Sequence, residues 1–530
     1  MSSTSDARST GGLKSAGPDA GSGTLRLSRR AKAPAREMVA VDSLHARLPC
    51  RSFLVNYKIA EAGQHTLTNE FLLRLLRTAG DLPEDVVAEF FGFDAAETRY
   101  VVDEAEGRGL VFRMGGRVNL AAAGLAAFDK GGDKPQLYEV HSRRGRFDFD
   151  VVSFAPAEAE HLTTFTRALS ELPVLSEANL ARASEAARHA FRRHFRELHL
   201  ARRGADLEGM TLYTIDDVAS DRRRDALVPL GVDVPLDTPK RTMANLQEWS
   251  ADHDLTEREE VVASCAALVR SLEVEHSWTA DEAYKRLVDV APEQTARFRR
   301  VAGFDRLAFF RHGADRTGDV QANRRTVPII GTLWTGRNVE QLGAAIRLLK
   351  REKVASGPPL VFWLRPALPH WGSNRGLPEF VAGLTGELEP SDEDGPEPRY
   401  TSIGAGATTG SPLQQRCRGA FDRFVQLNPA GVPPGLEVFL VPRRLVAVLV
   451  HGALDGSGFP VPVGVLSADP GAVERAHGIV DEILARAASA AAWDEVGPAL
   501  RETLYQALDF AASSGGLVVT CPRRSGPPVM

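Results

Sequence analysis

The sequence predicts an α+β multidomain chain: a small helical unit closed by a β-hairpin near the N-terminus, a mixed middle region, and a C-terminal α/β domain. Three observations carry this. Residues 68–128 hold three helical runs followed by two short strand-like runs around a Gly-Gly turn. Residues 181–204 repeat at helical period and are crowded with arginine. Beyond residue 326, short apolar runs alternate with helical patterns, as in a sheet covered by helices. A chain of 530 residues has room for several such cores.

Residues 1–40 are rich in Ser, Gly, Ala and Pro, and are expected to be a disordered, mildly basic tail. The first domain is placed at 44–130, with Leu44–Ile59 as a packing element that leads into it. Thr68-Asn69-Glu70 opens a helix through Arg77, which Ala79-Gly80-Asp81 stops. Pro83 sits at the first turn of a second helix, Glu84–Phe91, closed by Gly92. Asp94-Ala95-Ala96-Glu97 has the capping-box spacing and starts a third helix running to Arg108. Leu110–Arg113 and Arg117–Leu120 flank Met114-Gly115-Gly116 as a hairpin. This order over 68–128 resembles the winged-helix (helix-turn-helix) family, and the resemblance implies contact with nucleic acid. In that family the third helix enters the major groove. Here it carries Glu97, Asp103, Glu104 and Glu106 against Arg99 and Arg108, which phosphates would repel. Arg113 and Arg117 on the hairpin are the candidate basic contacts, and packing against protein is the alternative.

The middle region is placed at 131–320. Leu137–Val140 and Arg146–Phe154 read as strands, 157–203 as helical, and Met210–Val218 and Ala226–Val234 as two strands joined by the charged loop Ser220–Asp225. Helical patterns return from 256 to 310. Within 181–204, Ala187, Phe191, Phe195 and Leu198 make an apolar stripe, and Arg188, Arg192, Arg196, His199 and Arg203 a basic one beside it. Guanidinium forks bind phosphates two bonds at a time, so Arg188, Arg192, Arg196 and Arg203 are the candidate nucleic-acid surface. A solvated helix face is the plainer explanation. His189, His194 and His199 recur every five residues and diverge around a helix, which disfavours a shared metal.

The α/β domain is placed at 326–530. Thr326–Trp334, a helix over Val339–Lys350 and Pro359–Leu364 read as one βαβ unit with parallel pairing. Further strands are expected at Glu437–Val441, Leu445–Val450, Val461–Leu466 and Leu517–Thr520, with helices at Leu413–Val425, 470–488 and 494–512. Gly404–Ser411 precedes a helix as an anion nest would, yet lacks the P-loop Lys-Ser/Thr, so a loop with Ser411 as helix cap is expected. His370-Trp371 and Trp334 are candidates to line a pocket at strand ends, with core packing as the alternative. The element order around His451 resembles the phospholipase D-like fold. That family needs a His-x-Lys motif in each half, and Gly452-Ala453 follow His451 instead. The resemblance therefore implies a catalytically empty sensing or docking domain.

A formal net charge of −5 and a pI near 6.3 are not those of a protein that coats nucleic acid, so any such contact must be local. Cys50, Cys265, Cys417 and Cys521 show no paired spacing, which points to a reducing compartment. No run of about 18 apolar residues appears, and a cytoplasmic location without a membrane span is expected. No motif calls for a metal or other cofactor. The resulting expectation is a non-enzymatic regulator or assembly protein, with DNA and the subunits of a larger complex, for example in phage defence, as partners. The alternatives are a protein–protein scaffold, or a nuclease or phosphodiesterase in which Asp148, Asp150 and His451 are the first suspects.

Overall fold

The computed structural model describes residues 37–489 and Glu502, apart from 63–66, 129–134, 136–137, 177, 204–209, 240, 276–279, 316–317, 353–358, 390–398, 408–410 and 456–457. The chain is a mixed α/β assembly with several sheets. Of the tail expected over 1–40, residues 1–36 lie outside the described residues and Met38–Ala40 are instead the start of the first strand; the strand expected at Leu517–Thr520 and the helix at 494–512 lie outside the described residues, Glu502 apart.

The chain opens with a 25-residue strand, β1 (Met38–Ala62). A self-contained unit follows: α1 (Leu67–Ala79), β2 (Leu82–Pro83), α2 (Glu84–Phe91), α3 (Ala95–Gly107), β3 (Val111–Met114), β4 (Arg117–Leu120) and α4 (Ala122–Ala126). Its local chemistry is as expected. Asp94 Oδ1 accepts from the N–H groups of Ala96 and Glu97, and Glu97 Oε2 accepts from Asp94 N, closing the capping box on α3. Gly92 ends α2 at φ 68°, and Gly115 and Gly116 turn the hairpin at φ 61° and 76°. Leu72, Leu73, Leu76, Val87, Val102, Val111 and Val118 form the unit's own core. Its three strands pair in the order β2-β4-β3.

Next come β5 (Tyr138–Asp150), short α5 (Thr164–Arg167), α6 (Ala178–Ala181), α7 (Ala183–Arg193) and α8 (Phe195–Arg203), then the 26-residue β6 (Met210–Pro235) and β7 (Met243–Asn245). These strands and β1 form one antiparallel sheet in the order β5-β1-β6-β7, with β7 paired to β6. Residues 67–128 are thus an insertion between two paired strands, and the domain boundary drawn at residue 44 cuts through β1. Two expected strands and their charged loop are in fact one strand. Ser220, Arg223, Arg224 and Asp225 pair with Phe53, Arg51, Cys50 and Pro49 across a one-residue bulge. Charge is tolerated there because β6 has β1 on one side only over most of its length. Asp221 and Arg223 bond to Arg146 and Glu171.

β1 buries opposite faces in its two halves, because successive side chains alternate. Leu44, Ala46, Leu48 and Cys50 pack into the large core shared with the C-terminal domain. Phe53, Val55, Tyr57 and Ile59 pack under α7 and α8, with Ala187, Phe191 and Phe195.

The remaining elements are α9 (Glu259–Ser271), α10 (Asp281–Val290), α11 (Pro292–Thr295), the hairpin β8 (Arg299–Arg300) and β9 (Gly303–Phe304), α12 (Arg306–Asp315), β10 (Thr326–Ile330), α13 (Gly336–Arg351), β11 (Leu360–Leu364), α14 (Leu377–Leu388), β12 (Thr401–Gly406), α15 (Ser411–Ala420), β13 (Arg423–Gln426), β14 (Leu436–Val441), β15 (Leu445–Gly452), β16 (Val461–Ser467) and α16 (Pro470–Ala487). Strands β10 to β16 form one seven-stranded sheet in the order β10-β16-β15-β14-β11-β12-β13. The expected pairing of β10 with β11 does not occur. The fully buried meander β14–β16 inserts between them, and the parallel pairs are β11–β12 and β12–β13. Apolar residues of α13, α14 and α15 cover one face, and those of α9, α10, α12, α16 and the first half of β1 the other. No described helix is long and apolar enough to cross a membrane.

Candidate nucleic-acid interface

The arginine-rich segment is not one helix. It breaks at His194, whose φ of −100° and ψ of 17° end α7, and whose Nδ1 lies 2.9 Å from Glu197 Oε2. The break sorts the predicted basic stripe. Arg188 is half-buried, and its guanidinium donates to the backbone carbonyls of Ile215 and Asp216, fastening α7 to β6. His199 is buried, 4.9 Å from the Phe195 ring and 6.1 Å from Tyr57, so it belongs to the core. The side chain of Arg203 lies outside the described residues.

Arg192 and Arg196 remain, and the structure adds Arg193. All three are exposed and line a groove of about 350 Å³ between α7, α8 and the start of β6. The opposite wall is Met210–Ile215, where Tyr213 stands 63% exposed. Among the described residues none of the three guanidiniums has an ion pair or hydrogen bond. Arg193 lies off the stripe because one residue along a helix is a turn of about 100°; it lines the groove all the same, since Arg192 and Arg193 both stand exposed at the end of α7, where the groove begins.

The hairpin arginines are placed differently. Arg113 sits in a cage of three carboxylates, 2.6 Å from Glu84, 2.6 Å from Asp103 and in contact with Glu106. Arg117 pairs with Asp81 at 2.5 Å and donates to its carbonyl. Neither joins the groove. The surface of this unit instead exposes Phe90 (58%), Tyr100 (70%) and Met114 (68%).

The suspects for catalysis are spoken for. Asp148 accepts from Ser52 Oγ. Asp150 is fully buried, accepts from the N–H groups of Val152, Ser153 and Ala155, and pairs with Arg258 at 3.3 Å; it holds the corner after β5. His451 is buried with its Nε2 2.5 Å from Glu437 Oε2, whose other oxygen accepts from Trp363 Nε1 at 2.8 Å. Among the described residues no group of three or more His, Cys, Asp or Glu side chains is placed to hold a metal.

His370, Trp371 and Trp334 pack in the core. The rings of Trp334 and Trp371 are 5.7 Å apart, and Arg416 donates to the carbonyls of Pro369 and Trp371. Burial, and then the nearby His451 and Arg416, lower His370 to about 3. Gly404 and Gly406 belong to β12. A Cβ on Gly404 would strike Phe421, and one on Gly406 would strike Arg365, so these glycines answer to packing.

Asp42 is a strongly perturbed carboxyl beside this core. Burial pushes it up to about 7, against hydrogen bonds from Ser43 N and Thr332 Oγ1. It ties β1 to the loop after β10, where Trp334 Nε1 also donates to Ser43 O. Neither family models, nor curated proteins, nor solved structures yield a match to this chain.

Proposed function

We propose that the chain is a nucleic-acid-associated regulatory or assembly protein whose contact surface is the groove between α7, α8 and β6. The observation that carries this is the set of three guanidiniums, Arg192, Arg193 and Arg196, unpaired among the described residues and facing an exposed aromatic, Tyr213. Arginines that track a backbone beside a ring that can stack on a base are the recurring means of holding a single strand. In this reading residues 67–128 are a winged helix. Its helix, strand, helix, helix, strand, strand order supports the name, and its caged Arg113 and paired Arg117 favour docking to protein over docking to phosphate. The C-terminal α/β domain acts as a sensing or docking module, which suits a subunit of a larger assembly such as a phage-defence system. The scaffold reading draws on the exposed Phe90, Tyr100 and Met114. A nuclease reading finds Asp148 bonded to Ser52 through one oxygen, Asp150 buried in the corner with Arg258, and His451 buried against Glu437.

Fluorescence anisotropy with labelled single-stranded and duplex DNA over a salt series tests the groove. Each phosphate contact on a single strand contributes a log–log salt slope of about −0.7, so Arg192→Glu/Arg193→Glu/Arg196→Glu should flatten the slope by about 2. Equal slopes in both proteins, or no binding by wild type at low salt, would refute the reading in favour of the scaffold.

A further inference from the structure

A second cavity lies where the start of β1 meets the β10 edge of the seven-stranded sheet. It has a volume of about 200 Å³ and is walled by the start of β1 (Met38–Ala40), Gly313 and Ala314 of α12, Pro328–Ile330 of β10 and the first turn of α13. That volume is below the roughly 300–1,000 Å³ of sites for drug-sized ligands. Three features face it.

The first is the N-terminus of α13, a 16-residue helix with no acidic residue in its first turn. Thr335 caps it without a side-chain hydrogen bond, because its hydroxyl donates to Thr332 O instead. The N–H groups of Gly336 and Arg337 have no acceptor among the described residues, and they carry the positive end of the helix dipole. The second is Arg337, whose Nη1 donates to Ala314 O at 3.2 Å, so that the wall itself holds the guanidinium across the opening. The third is Gln341, one turn further along the same face. It is 4% exposed and lines the cavity, and its Oε1 has no hydrogen-bond partner among the described residues. A buried amide oxygen left unpaired costs about 1–3 kcal/mol, which a bound donor would recover.

The frame around these groups is rigid. Asn338 Nδ2 donates to the carbonyls of Ile330, Gly331 and Thr332, and Gly331 holds φ 89° with its backbone against Ala40 and Val41. The one carboxylate in the lining is Glu37, exposed at the rim.

We propose that this cavity binds the phosphate of a small hydroxylated phosphate monoester. The phosphate sits on the N–H groups of Gly336 and Arg337 and on the Arg337 guanidinium, as anions do at helix N-termini. A hydroxyl of the same molecule donates to Gln341 Oε1. Charge asks for the anion, and the orphaned acceptor asks for the hydroxyl. The proposal rests on reading the C-terminal domain as a sensor, and supplies its ligand.

Titration calorimetry of the full chain with glycerol 3-phosphate, methyl phosphate and inorganic phosphate tests it. Saturable binding is expected, with glycerol 3-phosphate the tightest of the three. Arg337→Ala, a change at an exposed position, should weaken every probe by about tenfold, the loss of one charge-assisted contact. Gln341→Leu should erase the preference for glycerol 3-phosphate over methyl phosphate while leaving methyl phosphate bound. Glu37→Gln should tighten all three. Inorganic phosphate binding as well as glycerol 3-phosphate would overturn the hydroxyl contact. No saturable heat at millimolar probe, or Arg337→Ala binding like wild type, would overturn the site. DNA anisotropy on the same variants keeps the two readings apart: the groove's salt slope should be unchanged by all of them.

Discussion

Asp42 is where a single substitution can be tied to a calculable effect. It lies fully inside the junction between β1 and the loop after β10, and burial raises its carboxyl from 3.8 to about 7. Between those two pH values the folded chain holds a proton that the unfolded chain releases, so stability falls as pH rises through this window. At about 1.4 kcal/mol per pH unit, the loss on going from pH 4 to pH 8 is about 4 kcal/mol. The Asp42→Asn side chain would keep an oxygen to accept from Ser43 N and Thr332 Oγ1 but cannot ionise. His370, His45 and His477, which burial lowers to about 3, 4 and 4, act in the opposite sense, losing stability as pH falls below 6.5. They are common to both proteins and cancel in the difference. The assay is urea unfolding of wild type and Asp42→Asn from pH 4 to 8, followed by the fluorescence of the buried Trp334, Trp363 and Trp371. The variant should gain on wild type by about 4 kcal/mol across that range, most of it between pH 4 and 7. A difference that stays flat within about 1 kcal/mol would refute the reasoning, because it would mean that Asp42 ionises as freely folded as unfolded.

Two further outcomes are expected. Arg113→Gln should leave Glu84, Asp103 and Glu106 facing one another and destabilise residues 67–128 by about 1–2 kcal/mol, with DNA affinity unchanged; weaker DNA binding by a folded variant would return the hairpin to the phosphate surface. Gly331→Ala would place a Cβ 3.0–3.2 Å from the backbone of Ala40 and Val41 at φ 89°. It should cost about 1–3 kcal/mol in urea unfolding, and an unchanged midpoint would contradict the tight approach of β1 to this loop.

What the sequence determined by itself is local. The capping box at Asp94 and Glu97, the glycine turns at Gly92, Gly115 and Gly116, and the strands β14, β15 and β16 follow from neighbours within a few residues, where periodicity and backbone stereochemistry decide. The apolar stripe Ala187, Phe191 and Phe195 was legible for the same reason. Partners far along the chain were not. The charged run Ser220–Asp225 is strand only because β1, far earlier in the chain, supplies the hydrogen-bond ladder. β10 and β11 are kept apart by three strands that come later in sequence. His199 enters the core because Tyr57 of β1 lies on the sheet face beneath α8, and Arg113 leaves the candidate interface because Glu84, Asp103 and Glu106 converge on it. In the same way, the groove at Arg192, Arg193 and Arg196 needs β6 as its second wall, and the cavity at α13 needs the start of β1. A side chain's hydrophobicity and period are its own, but its neutralisation or exposure belongs to whichever distant segment packs beside it.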